Sequence, residues 1–378
     1  MIDTMGVIYT SRNDLSLREL TVSRSVAALP VAGRYRMIDF TLSNLVNSGI
    51  RNVGVIMQRN YHSLMDHLGS GMEWDLHTRN DGLHILPPFL TRENVGTYSG
   101  MLDALHSNMS YLRRSKQTYV IITGSQTALN VTYDDMLKFH EESGNDITLM
   151  YTRVTPGDVE NTVTLTPRHV YMDVDENGMV RDLEVGPARP STQNFYMDVM
   201  LLKRSLLLQI IDQSYAHSMH DLNRDFLQTY IRNGLFKVGG YQFKGYSKRI
   251  ETINSYYRFN MDLLRPEVRK ELFGDNPVYT KVRDEMPAHY FKGSVAKNSL
   301  VADGCVVEGT VENSILFRGV HVARGAVVKN AILMQEDVIG SNAHVENVIL
   351  DKNVTVKAGA RLIATESYPV VIGKGQTI

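Results

Sequence analysis

The sequence predicts an α/β domain followed by a parallel β-helix. Short apolar runs alternate with amphipathic stretches up to about residue 250, as strand and helix units do. A segment marked by Pro266, Pro277 and Pro287 with mixed charge then breaks that texture. Beyond it, aliphatic or small residues recur at every sixth position, the repeat of a β-helix whose flat rungs stack and each bury a side chain.

The elements follow in order. The first strand is expected over Met5–Tyr9, and buried strands of parallel type over Asn52–Met57, Thr118–Thr123 and Asp146–Tyr151. Helices are expected over Tyr98–Arg114, Thr132–Glu142 and Met219–Asn233. Thr132 is the expected N-cap of the second, with Asp134 and Asp135 in its first turn, and Gly234 ends the third. In the repeat region one column runs Val295, Val301, Val307, then Val320, Ala326, Ile332, Val338, then Val348, Val354, Ala360. A second runs Leu316, Val322, Val328, Met334.

With 378 residues, 43% of them hydrophobic, the chain can bury two cores. A net charge of −1 gives no general attraction to nucleic acid or to anionic membrane. Cys305 stands alone, so no intramolecular disulfide or cysteine metal cage can form, and it is expected to pack inside the β-helix. The segment Met1–Gly6 lacks the basic and apolar regions of a signal peptide, and no apolar run is long enough to span a bilayer. A cytoplasmic protein is the expectation.

Residues 29–50, LPVAGRYRMIDFTLSNLVNSGI, together with Val174–Gly178 (VDENG) and the six-residue repeats, appear in an order that resembles the ADP-glucose pyrophosphorylase (glucose-1-phosphate adenylyltransferase) family. The resemblance runs from the first strand to the β-helix. It implies a Rossmann-like nucleotidyltransferase domain over 1–262, a linker over 263–287 and a left-handed parallel β-helix over 288–378.

Adenylyl transfer joins a sugar-phosphate oxygen to the α-phosphorus of ATP and expels pyrophosphate. Its site must therefore gather backbone N–H groups, cations and Mg²⁺ around two polyanions. The positions that matter are changed throughout. Ser11, Arg12 and Asp14 stand at the three glycines of the family's GGRGTRL loop, where side chains hold phosphate off and Asp14 adds a like charge. Val26 stands at a lysine of the segment KRAKPAVPFGGKYR. Ser125 replaces the magnesium-binding aspartate of LAGDH and cannot supply an anionic ligand. Gly186 stands at the sugar-phosphate lysine of FxEKP, Asp198 at the glycine of SMGIY, and Arg249 at the second metal aspartate of YWRDVGT.

The resemblance thus implies a chain with no catalytic residues, no metal and no cofactor of its own. Its implied role is a regulatory subunit in a homo- or heterotetramer with a catalytic subunit (GlgC) that uses Mg²⁺ to make ADP-glucose for glycogen. A divergent active glucose-1-phosphate adenylyltransferase, or another sugar nucleotidyltransferase, is the alternative. Family members also bind sugar-phosphate effectors in a cleft between the two domains. Arg24, Arg36 and His62 match that cleft, although a further lysine expected at Ser23 is absent.

Overall fold

The computed structural model describes residues 3–10, 15–78, 81–88, 98–154 and 169–378. A twisted mixed sheet forms the centre of the first domain. Its strands run in the spatial order Val180–Val185, Val170–Val174, Asn194–Lys203, Tyr119–Gly124, Thr4–Tyr9, Asn52–Ile56 and Gly82–Leu86. Ile147–Arg153 also pairs with Asn194–Lys203 and carries Val238–Gln242 on its far side. Thr4–Tyr9, Tyr119–Gly124, Asn52–Ile56 and Gly82–Leu86 pair in parallel, while Asn194–Lys203 enters antiparallel. The expected strand at Asp146–Tyr151 is therefore antiparallel to one neighbour and parallel to the other. Both faces of the sheet are covered. One apolar layer is built around Leu102, Leu105, Leu207 and Phe226, the other around Ile38, Leu42, Leu45 and Trp74.

Helices depart from expectation where a local hydrogen bond intervenes. The stretch expected as one helix over Tyr98–Arg114 is two, Met101–Ser107 and Met109–Arg114. They break at Asn108, whose side-chain amide donates to the Ala104 carbonyl at 2.8 Å. Thr132 is not the N-cap of the next helix. Tyr133 holds that place without a side-chain cap, and the helix runs Asp134–Ser143 with Asp134 and Asp135 in its first turn. The third begins as a π-helical turn, Leu222–Leu227, whose backbone N–H groups at Asn223 and Arg224 donate to Asp221 at 2.9 Å. It continues as Gln228–Arg232 and closes at Gly234 in the left-handed region. Met37–Asn47 forms a helix buried along all but its last residue because it lies between the sheet and the second domain.

The stretch 263–287 is only partly a linker. Pro266 opens a helix, Pro266–Phe273, at a position where its missing N–H is no loss, and Val268 and Leu272 pack into the core. Beyond it, three parallel five-stranded sheets stack into the left-handed β-helix. Its interior column reads Val311, Val328, Val345, so each coil advances 17 residues there. That shorter pitch carries two members of the six-residue column, Val295 and Val338, to the outside, where they are 45% and 37% exposed. Asn298, Asn313, Asn330 and Asn347 turn the corners with positive φ, and Asn298 and Asn330 donate their amides to the next asparagine in the stack. Cys305 is fully buried with Sγ 3.0 Å from the Phe317 carbonyl, and burial pushes its thiol pKa up to about 11.

The two domains share a core. Tyr256, Tyr257 and Phe259 on the helix Ile253–Asp262 join Phe40 and Met37 on one side and Phe317, Ile332 and Met334 of the β-helix on the other. Each such fully buried side chain contributes roughly 1.5–3 kcal/mol, so the domains are held by packing as well as by covalent connection. Among the described residues no helix is long and apolar enough to cross a membrane.

Candidate functional site

The strand Tyr119–Gly124 delivers Ser125 to the carboxyl edge of the sheet, the edge at which α/β proteins assemble ligand sites. Ser125 is 1% exposed, and its Oγ has no hydrogen-bond partner among the described residues. Facing it, Asn194–Lys203 slips register between Tyr196 and Met200, and Asp198 sits in that bulge at φ +55°. A left-handed conformation costs most residues on the order of 1 kcal/mol, and aspartate is among those that tolerate it. The antiparallel pair Thr127–Leu129 and Ser247–Arg249 brings Arg249 alongside.

Arg249 closes this corner. Its Nη1 donates to Asp198 Oδ2, its Nε to Glu251 Oε1 at 2.6 Å and its Nη2 to Gln126 Oε1 at 3.3 Å. Its guanidinium carbon lies 5.7 Å from the centre of the Phe195 ring. Glu251 turns its second oxygen, Oε2, to His169 Nε2 at 2.5 Å. Burial would raise the Glu251 pKa, but the Arg249 charge and the His169 hydrogen bond outweigh it and hold the carboxyl at about 2. Burial likewise works against Arg249, yet the two carboxylates keep it charged above its ordinary range.

The donor set does not fit Mg²⁺. A hydroxyl and a guanidinium stand at the two corresponding positions, and the carboxylates nearby already hold the guanidinium. No group of three or more His, Cys, Asp or Glu able to hold a metal occurs among the described residues. Neither of the other two described positions, Val26 and Gly186, carries a cation. Val26 is 1% exposed within the apolar cluster around Leu17, Leu29 and Met37. Gly186 adopts φ +66° and donates its N–H to the His169 carbonyl at 2.7 Å, a conformation a lysine would strain. Ser11, Arg12 and Asp14 lie outside the described residues.

A cavity of about 370 Å³ remains beside the ion-pair cluster, lined by Thr152, Phe195, Met197, Lys248, Arg258 and others. A second, of about 660 Å³, lies between the first domain and the β-helix. It brings Arg24, Arg36 and His62 together, but in different states. Arg24 is 3% exposed and already engaged, its Nη2 donating to both oxygens of Asp351 at 2.7 and 2.8 Å across the domain boundary. Arg36 donates to the Ser63 carbonyl at 2.6 Å and to its hydroxyl at 3.0 Å. His62 is open to solvent and 3.6 Å from Asp66.

Six further cations converge on this cleft: Arg34, Lys281, Arg283, Arg318, Lys352 and Lys374. Sequence reading missed them because only the docking of the β-helix brings them together. Among the described residues, Asp66 is the lone carboxylate in the lining. Burial, then Arg36 and Arg24, bring the Lys352 ammonium down to about 7, and burial with the neighbouring Arg24 and Arg283 brings Arg36 to about 10. Asp39 braces the wall, accepting from the Arg36 N–H at 2.9 Å and lying 2.6 Å from His67 Nε2. Missed as well were Glu251 and His169 of the ion-pair cluster. Glu251 stands two residues beyond Arg249, which was the available signal.

The nucleotidyl transferase family model matches residues 16–265, and the GlmU-like C-terminal hexapeptide model matches 286–365. The glycogen biosynthesis protein GlgD of Bacillus subtilis is 37% identical over 98% of this chain and 96% of its own length. Glucose-1-phosphate adenylyltransferases are similar at comparable coverage. That of Acetivibrio thermocellus is 33% identical over 93% of this chain and 81% of its own, and that of Clostridium perfringens 32% over 100% and 96%.

Proposed function

This chain belongs to the nucleotidyl transferase family, within the group that holds GlgD and the glucose-1-phosphate adenylyltransferases, and on that premise we propose that it is a non-catalytic subunit of ADP-glucose synthesis for glycogen. It associates with a catalytic adenylyltransferase subunit and raises that subunit's output. The single observation that carries this reading is the Arg249 ion-pair cluster. Where a metal carboxylate would stand, a guanidinium is held by Asp198 and Glu251, and Ser125 opposite offers no charge. Loss of one preorganised group in such a site costs about 10²–10³ in rate. Here both metal positions are substituted together, with Val26 and Gly186 at the phosphate lysines.

The interdomain cleft gives the subunit something to sense. Its excess of cations over a single carboxylate suits a phosphorylated sugar, whose binding would bear on the angle between the domains and so on a partner packed against them. Stimulation of a catalytic subunit requires tighter association with that subunit's active conformation. The test is co-purification with a catalytic homologue and comparison of its turnover with and without this chain. A stable complex with raised turnover supports the reading; unchanged turnover in a stable complex contradicts it.

A further inference from the structure

The interdomain cleft is walled by cations, and one of them is neutralised from behind. Asp351 follows the strand Val348–Leu350 of the β-helix and is not part of the cavity lining. Its Oδ1 accepts from the Lys352 N–H at 2.8 Å, and its own N–H donates to the Ile372 carbonyl at 2.9 Å, so the rung it sits on fixes the carboxylate. Arg24 reaches it from the first domain. Arg24 Nη2 lies 2.7 and 2.8 Å from the two carboxylate oxygens, and Nη1 is turned to Met334 Sδ at 3.6 Å. The two side chains are 4% and 2% exposed. Both terminal nitrogens of Arg24 are therefore engaged within the domain boundary.

Other cations of the wall keep their charge for the cavity. Arg36 donates to the Ser63 carbonyl and hydroxyl, and Lys281 Nζ to the Asp66 carbonyl at 2.7 Å, neutral oxygens that cancel no charge. An anion entering the cleft gains charge-assisted bonds from such groups by displacing neutral partners. To gain Arg24 it must pull the guanidinium off a buried carboxylate. That would leave Asp351 unpaired in the protein interior, where a lone charge is heavily penalised.

We propose that Asp351 is a built-in anion that withholds Arg24 from cleft ligands, so that a phosphate in the cleft is held by Arg36, Lys281, Arg318, Lys352 and Lys374 and not by Arg24. This rests on the reading of the cleft as an anion site, and adds which residue sets the strength of that site. Asp351 keeps the cleft one charge weaker than its lining suggests. It commits Arg24 to joining the domains, with the cavity empty or filled.

Titration calorimetry on the full chain tests this, with fructose 1,6-bisphosphate as the probe, at pH 6, below the Lys352 pKa of about 7. Asp351→Asn keeps the shape and an acceptor for the Lys352 N–H but no longer cancels the Arg24 charge, and is expected to tighten binding about tenfold. Damage to the fold cannot imitate a gain in affinity. The double variant Arg24→Met with Asp351→Leu replaces the pair by apolar side chains, an exchange that buried ion pairs tolerate, and is expected to bind as the parent does. Should Asp351→Asn unfold, the double variant alone decides. An Asp351→Asn variant that binds no tighter than the parent overturns the proposal. So does a double variant whose affinity falls about tenfold, since Arg24 would then contribute in the parent. Absence of binding by the parent and by Asp351→Asn alike overturns it together with the anion reading of the cleft. The co-purification result stands in every case, because that assay reads association with a catalytic subunit.

Discussion

Arg249 and Asp198, 51 residues apart, form an ion pair at the corner of the sheet where the family pattern has an aspartate and a glycine. The two substitutions make sense together. Asp198 alone would put an uncompensated carboxylate in a strained bulge, and Arg249 alone would bury a guanidinium. Their pairing closes the corner with the chain's own charges.

Arg249→Ala therefore leaves Asp198 without its cation and Glu251 with His169 alone, and is expected to destabilise the fold by about 3–5 kcal/mol. Adding Asp198→Gly, which removes one of them and relieves the left-handed aspartate, should recover part of that loss. Urea denaturation of the two single variants and the double variant measures the coupling, and strictly additive effects would show that the pair is not an energetic unit.

Acid lability follows from Glu251. Its folded pKa of about 2 lies below its ordinary value of 4.5, so the unfolded chain binds the proton more readily. The stabilisation is present above pH 4.5 and is lost as pH falls from there toward 2. Glu251→Gln should be less stable than the parent at neutral pH and flatter across that acid window. Thermal melts from pH 3 to pH 7 check the slope, and parallel curves for the two proteins would count against the cluster.

Much of the architecture was legible from residue pattern. The strands at Asn52, Tyr119 and Ile147 are continuous apolar runs, which only a sheet covered on both faces accommodates. The break at Asn108 was hidden because it depends on one side-chain bond to Ala104 inside a stretch of helical composition. In the β-helix, the six-residue count erred at Val295 and Val338 because the coil pitch is set by the asparagine corners, whose spacing was the better signal. Within the candidate site, Asp198 and Arg249 were each visible as a departure from the family pattern. That they meet was not, since the bulge in Asn194–Lys203 sets it. The cleft cations were opaque for the same reason: Arg34, Arg318 and Lys374 converge only once the domains dock.

Arg24 and Asp351 join the domains through a buried two-pronged ion pair. Arg24→Ala leaves Asp351 unpaired and is expected to cost about 3–5 kcal/mol, while Arg24→Lys restores the charge but only one prong and should fall between. Limited proteolysis across 274–288 should quicken in the same order if the pair holds the β-helix in place.

Ligand binding in the cleft should depend on pH through Lys352. Burial, with Arg36 and Arg24 beside it, holds it at about 7 in the free protein, and a bound phosphate favours its charged form, so binding takes up a proton and tightens as pH falls through 7. Titration calorimetry with fructose 1,6-bisphosphate at pH 6 and pH 8 should show tighter binding at the lower value, with Lys352→Arg flattening the difference. Equal affinity at both values, for both proteins, would remove Lys352 from the binding site.

The central claim is that the site performs no adenylyl transfer, and the most direct measurement is ADP-glucose formation by the pure chain supplied with ATP, glucose 1-phosphate and Mg²⁺. The account predicts no turnover above the uncatalysed background, under conditions where the same preparation raises the rate of a catalytic homologue. Sustained ADP-glucose synthesis by the pure chain, abolished by Arg249→Ala, would contradict it.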